Sequence, residues 1–249
     1  MFNLERIAII LVNTSHPGNI GSVARAMKNM GLKHLRLVNP KMFPHPEATA
    51  LASGASDVLI QAKLFSDLKE AIKDQQLIYA FSSRSRHLEW PPFTPRECVD
   101  HIAEEGTGAK IALVFGNERA GLTNEELSLC QFHVSIPTHS DYPSLNLAQA
   151  VQVIAYELWV KSLSESKPQL ISNKLAKKRI LAPAEQIEGF FQHLEQTLVK
   201  IKVLHPHQNK KMILRLRRLF HRAQLDSDEI NILRGILKAI NQSEDKLPS

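Results

Sequence analysis

The sequence predicts an α/β protein: a mostly parallel sheet with helices on both faces over residues 1–163, a linker over 164–184, and a small all-helical extension over 185–249. Three observations carry this. Short, continuously apolar runs alternate with helix-period segments over residues 5–160, the pattern of strands buried on both faces by crossover helices. After Leu163 the alternation gives way to a stretch of Ser, Lys and Pro with weak periodicity, as linkers show. From Glu185 onward the pattern is helical.

In chain order, IAIILV (7–12) reads as a buried strand and GSVARAMKNMG as a helix closed by Gly31, where glycine suits a left-handed cap. HLRLVNP is the next strand, stopped by Pro40. DLKEAIKD forms a short helix, LIYAFSS (77–83) and KIALVFG (110–116) are strands, and NEELSLC is a helix between KIALVFG and the short strand HVSIP (133–137). SLNLAQAVQVIAYELWVKSL (144–163) is a long helix that Ser144 can cap. Its Val151, Val153, Ile154, Leu158 and Trp159 are more apolar surface than one helix needs against its own sheet, which points to a homodimer. Three helical segments follow in the extension, the last with Asp226 or Ser227 as cap.

Composition sets further bounds. At 43% hydrophobic residues the chain can bury a full core. No run approaches the roughly 18–20 apolar residues of a membrane span, and the N-terminus lacks the pattern of a signal peptide. Cys98 and Cys130 stand far apart, so neither a zinc site nor a disulfide framework is expected. A cytoplasmic protein with no membrane partner follows. Residues 1–160 carry 14 Lys and Arg against 16 Asp and Glu, whereas residues 161–249 carry 17 against 9. That asymmetry suggests an anionic polymer as partner, or else a solvated basic face. Between Gln196 and Leu225 no acidic residue occurs. There Leu214, Leu216, Leu219 and Phe220 can form a packed face, leaving Lys210, Lys211, Arg215, Arg217, Arg218 and Arg222 for solvent or phosphate.

Ligands of parallel sheets bind at the carboxyl ends of the strands. Four loops there combine small and polar residues: NTSHPGNIGS, FSSRSR, FGNERAGL and IPTHSDYPSLN. Neither GxGxxG after the first strand nor GxxxxGK[ST] occurs, which disfavours dinucleotide and P-loop chemistry. GNIGS opens a helix and is either a phosphate cradle or a tight turn with an N-cap.

NIGSVARAMKNMG, LVFGNERAGLTNEEL and IPTHSDYPSLNLAQAVQVIAYE, in that order, resemble the three motifs of the SPOUT-class RNA 2′-O-methyltransferases. The likeness covers residues 5–160 and is nearest to the members that methylate position 32, a cytidine or uridine, the first nucleotide of the tRNA anticodon loop. The basic extension agrees, since shorter members lack it. The resemblance implies a deep trefoil knot, an exception to the unknotted rule. It also implies S-adenosylmethionine as cofactor, tRNA rather than DNA as substrate, no metal, and a homodimer whose sites are completed by the partner subunit.

The same resemblance supplies roles. Arg25, Asn19 and Asn146 are the expected catalytic residues, with Arg25 an electrostatic clamp rather than a base because guanidinium stays protonated. Phe81, Ser82, Ser83, Gly116, Ile136, Ser144 and Leu145 are expected at the cofactor, with Gly116 admitting close backbone approach. Ser22, Arg84, Arg86, Glu118, Arg119, Lys210, Lys211, Arg215 and Arg218 are expected at the RNA, although Glu118 and Arg119 also read as an exposed ion pair. Asn13 stands where an acidic residue would suit the family equally. A non-catalytic RNA-binding protein on an α/β dimerisation domain is the alternative reading.

Overall fold

The computed structural model describes residues 2–82, 92–105, 108–165, 181–204 and 210–244. The chain divides into two compact units, Met1–Lys177 and Lys178–Ser249.

The first unit is built on a six-stranded, wholly parallel sheet: β1 (Ile7–Val12), β2 (His34–Val38), β3 (Lys63–Phe65), β4 (Leu77–Phe81), β5 (Ile111–Phe115) and β6 (Phe132–Val134). The order across the sheet is β3-β2-β1-β5-β4-β6. β1 lies in the middle, its Ile9 opposite Leu35 on one side and Leu113 on the other. Every residue of β1, β4 and β5 is buried, which is why these three read as continuous apolar runs. Each fully buried Ile or Leu there contributes on the order of 1.5–3 kcal/mol.

Helices α1 (Pro17–Asn29), α2 (Pro46–Ala52), α3 (Ser56–Ile60), α4 (Leu68–Ile72), α5 (Pro95–Glu105), α6 (Asn124–Ser128) and α7 (Leu147–Glu165) connect and cover the strands. α1 begins a turn before the expected GSVAR start, because Pro17 fits the first helical position, where its missing N–H costs nothing. Gly31 has φ +72°, the left-handed cap expected of it. Gly21 has a different task from ligand approach: a Cβ there would lie 2.1 Å from the Ala48 carbonyl oxygen, so the glycine lets α1 and α2 touch backbone to backbone. The sequence reading missed α2, α3, β3 and α5. PEATALA and KLF are too short to show a period, and α5 buries only Pro95, Cys98, Val99 and Ile102.

In the second unit α8 (Ala184–Lys200), α9 (Lys210–Ala223) and α10 (Ser227–Glu244) enclose a core of Ala182, Ile187, Phe190, Phe191, Leu194, Ile230 and Leu237. Asp226 and Glu229 cap α10 reciprocally, each side chain accepting from the other's backbone N–H at 2.8 and 3.0 Å.

Two expectations about helix faces are corrected. On α9, Leu216 and Phe220 pack on this core, but Leu214 and Leu219 are 45% and 50% exposed. Arg217 turns inward in their place, paired with Glu188 and 4.5 Å above the Phe191 ring. On α7, Val151, Ile154 and Leu158 are fully buried within their own unit. The exposed apolar stripe is instead Tyr156, Trp159, Val160 and Leu163, at the i, i+3, i+4, i+7 spacing of one helix face.

Candidate active site

Because the strands are parallel, the loops leaving β1, β5 and β6 meet the end of β4 at one edge of the sheet. Phe81, Ser82, Gly116, Glu118, Arg119, Ile136, Ser144 and Leu145 line a cleft of about 380 Å³ there, within the usual range of small-molecule sites. Phe81 and Phe115 stack beneath it with ring centroids 4.4 Å apart, and the Ser82 N–H donates to the Val134 carbonyl at 3.1 Å, joining two of its walls. Phe115, Val134 and Leu147 also line it and were not singled out in the sequence, since apolar strand residues look alike whether they face a core or a cleft.

Gly116 does permit close backbone approach, but to the chain itself: a Cβ there would fall 2.2 Å from the Gly121 carbonyl carbon. The 116–121 turn folds back on the strand end. Asn117 ties it down, its Oδ1 accepting from the Arg119 and Ala120 N–H groups at 2.9 and 3.2 Å and its Nδ2 donating to the Asn13 carbonyl at 2.7 Å. Asn13 is likewise a structural residue, with φ 54°, a conformation asparagine tolerates. Its side chain donates to Glu126 at 3.2 Å and accepts from Asn39 at 3.1 Å.

Glu118 departs most from expectation. It is neither an exposed ion-pair member nor turned to solvent for RNA; its carboxylate sits at the N-terminus of α1. It accepts from Ser15 N–H at 3.0 Å, Ser15 Oγ at 2.7 Å, His16 N–H at 3.2 Å and Asn19 Nδ2 at 2.9 Å. Of the two readings of GNIGS, a phosphate cradle or a tight turn with an N-cap, the helix N-terminus here meets a carboxylate from within the chain. Burial alone would raise the Glu118 carboxyl, but the Asn19 and Ser15 donors outweigh it and hold it at about 2. Its stabilising effect is therefore complete above the ordinary glutamate pKa of about 4.3 and fades as the pH falls from there through about 2. The urea midpoints of the wild type and Glu118→Gln should differ by a constant amount from pH 7 to 5 and converge below about pH 4. A difference unchanged down to pH 3 would contradict this.

Asn19 joins Glu118 to the third loop, its Oδ1 accepting from Asn146 Nδ2 at 3.0 Å. Asn146, not Ser144, caps α7: its Oδ1 accepts from the Ala148 N–H at 2.8 Å. So the fold brings Asn19, Glu118 and Asn146 together from three loops. It does not bring Arg25 to them. Arg25 lies six residues on from Asn19, about 9 Å along the axis of α1, exposed and with no side-chain partner among the described residues. Ser22 is half-buried on the same helix. Ser83, Arg84 and Arg86 fall outside the described residues, as does the side chain of Lys210. Among the described residues no group of His, Cys, Asp and Glu could hold a metal, and no helix is long and apolar enough to cross a membrane.

The profile of the SpoU rRNA Methylase family matches residues 6–156. The chain belongs to the SpoU rRNA Methylase family. Residues 185–248 match a second profile, tRNA methyltransferase TrmJ, C-terminal domain. A curated relative, the tRNA (cytidine/uridine-2′-O-)-methyltransferase TrmJ of Pectobacterium atrosepticum, is 46% identical over 98% of this chain and 100% of its own length. Among solved structures, TrmJ from Z. mobilis ZM4 superposes with a TM-score of 0.81 at 36% identity, over 94% of this chain and 98% of that one. The SpoU methyltransferase AviRb from Streptomyces viridochromogenes, solved with AdoMet, shares the fold at 23% identity, with a TM-score of 0.51 over 63% of this chain and 60% of that one.

As a SpoU methylase the chain carries its three motif loops at one sheet edge, with the cleft between them. The TrmJ-type unit adds a basic surface. On α9, Lys211, Arg215, Arg218 and Arg222 recur at i, i+4, i+7 and i+11, within roughly 60° of arc and about 16 Å of axis. Lys211, Arg215 and Arg222 are exposed and make no ion pair among the described residues.

Proposed function

We propose that this chain transfers the methyl group of S-adenosylmethionine to the ribose 2′-hydroxyl of nucleotide 32 of tRNA, a cytidine or uridine. The observation that carries the reading is the cleft itself, with the Asn19–Asn146 amide pair beside its Glu118 and Leu145 walls. A protein that only bound RNA would have no use for it. The lining suits such a cofactor. Phe81, Phe115, Ile136, Leu145 and Leu147 offer apolar walls to a purine, and Ser82, Ser144 and strand-end backbone groups offer polar partners to its edges.

Bound there, S-adenosylmethionine supplies an electrophilic methyl group on a sulfonium. The chain's own residues must place the ribose oxygen in line with it and stabilise the charge that develops on that oxygen as the O–CH3 bond forms, the S–CH3 bond breaks and the hydroxyl proton passes to solvent water. Amide N–H groups of Asn19 and Asn146 and the guanidinium of Arg25 serve that end, the last also holding the adjacent phosphate. Arg25 stays protonated and is not the base.

Arg25 stands apart from its own subunit's amide pair, which fits a homodimer in which it completes the partner's site. α1, which carries Arg25, packs on α7, whose stripe of Tyr156, Trp159, Val160 and Leu163 is exposed. In this reading the stripe is the centre of an interface of at least about 1,200 Å². The double variant Val160→Glu, Leu163→Glu should sediment as a monomer and lose methyl transfer. A fully active monomer would contradict the dimer. The reading places the enzyme in the cytoplasm with tRNA. It is tested by incubating the protein with S-adenosylmethionine and tRNA and analysing nucleosides: 2′-O-methylated pyrimidine should appear, and its absence with folded protein would refute the assignment.

A further inference from the structure

Among the described residues Glu118 is the one carboxylate in the cleft's lining, and its charge is engaged by neighbouring backbone and side-chain donors. The bonds form a chain with a direction. A carboxylate accepts only, so Asn19 must turn its Nδ2 toward Glu118, at 2.9 Å. That leaves the Asn19 Oδ1 facing the Asn146 Nδ2, at 3.0 Å. At the far end the Ala148 N–H, a donor only, holds the Asn146 Oδ1 at 2.8 Å. Both amides are therefore fixed from both ends. A flip of either would set donor against donor or acceptor against acceptor. Each oxygen is turned to a partner within the protein, and each nitrogen keeps one hydrogen uncommitted among the described residues.

We propose that Glu118 is a positioning residue which, through Asn19, fixes the orientation of the Asn146 amide, so that both side chains present N–H donors to the oxygen being methylated. This rests on the methyltransferase reading above and deepens it. A negative charge at the head of the chain polarises the Asn19 amide and, through it, the Asn146 amide. The site thereby offers donors where negative charge develops, and the carboxylate itself is kept off the reacting oxygen, which it would repel. The arrangement also explains why the chain puts an acid in a cleft that must receive a polyanion: Ser15, His16 and Asn19 engage it before the substrate arrives.

The test is Glu118→Gln in the full-length protein, followed by two independent readouts. In spectra of protein labelled with ¹⁵N at asparagine, the side-chain amide signals of both Asn19 and Asn146 should shift. Asn146 is not a hydrogen-bond partner of Glu118, so the part of its shift that Asn19 passes on is the part that disappears when Asn19 is removed. In an Asn19→Ala background, accordingly, the same Glu118→Gln change should leave the Asn146 signal in place. In single-turnover assays with tRNA and S-adenosylmethionine both saturating, Glu118→Gln should lower the methyl-transfer rate at least about tenfold. Glu118→Asp, which keeps the charge but withdraws it by one methylene, should lower it to a lesser degree and serves if the glutamine variant does not fold. An Asn146 signal unmoved by Glu118→Gln, or a transfer rate within threefold of wild type, would overturn the proposal. The spectra decide the question even if the wild type transfers no methyl group, an outcome that would refute the function and not the coupling.

Discussion

Arg25→Ala is expected to lower the rate of methyl transfer by about 10³-fold while leaving S-adenosylmethionine affinity within about threefold. The two effects separate because Arg25 is exposed on α1 and is not among the residues lining the cleft. Its loss removes a cation from the nucleophile's side and leaves the cofactor's walls intact. Arg25→Lys keeps the charge but not the planar fork, so it should recover only part of the rate. Mixing Arg25→Ala with a cleft variant such as Gly116→Val, each inactive alone, should restore activity if the arginine completes the partner's site. Near-normal turnover by Arg25→Ala would remove the residue from the mechanism.

The second large effect concerns the basic stripe on α9. Replacing Lys211, Arg215, Arg218 and Arg222 together by glutamine should raise the KM for tRNA by about 10²-fold at physiological salt and flatten the slope of log K against log[salt] by about 3. The reason is counterion release: each cation that meets a phosphate frees roughly 0.7–0.9 of a bound counterion. Such contacts position the RNA without selecting bases, so the loss should be similar for every tRNA substrate, and the maximal rate at saturating tRNA should hold. The helix should survive, since its inward residues Leu216, Arg217 and Phe220 are untouched. An unchanged salt slope would make the stripe a solvated face and return tRNA recognition to the SpoU unit alone.

How much of this was legible beforehand follows from the range of the interactions. β1, β4 and β5 showed in the sequence because burial on both faces leaves an unbroken apolar run. The Gly31 cap and the Asp226 cap were equally local. The loops that form the cleft were legible as unusual composition at strand ends, and six of the residues expected at the cofactor, from Phe81 to Leu145, do line it. What stayed hidden was pairing across long separations. Glu118 looks like a surface acid beside Arg119 until the fold sets it against Ser15, 103 residues earlier. Gly21 looks like a ligand-binding glycine until α2, which has no visible period, is packed against it. Arg217 is one basic residue among many until Phe191 and Glu188 lie beneath it. Helical spacing sets Leu216 and Phe220 one turn apart and Leu214 on another side of α9, but it could not say which side meets the core.

In the proposed reaction the methyl group goes to one ribose oxygen, and a single-atom change in the substrate tests it. With isotopically labelled S-adenosylmethionine, a tRNA whose only alteration is 2′-deoxy at nucleotide 32 should accept no label, while the same tRNA carrying 2′-deoxy at nucleotide 34 should be labelled as fully as the unmodified molecule. Label retained on the 32-deoxy tRNA would contradict the account.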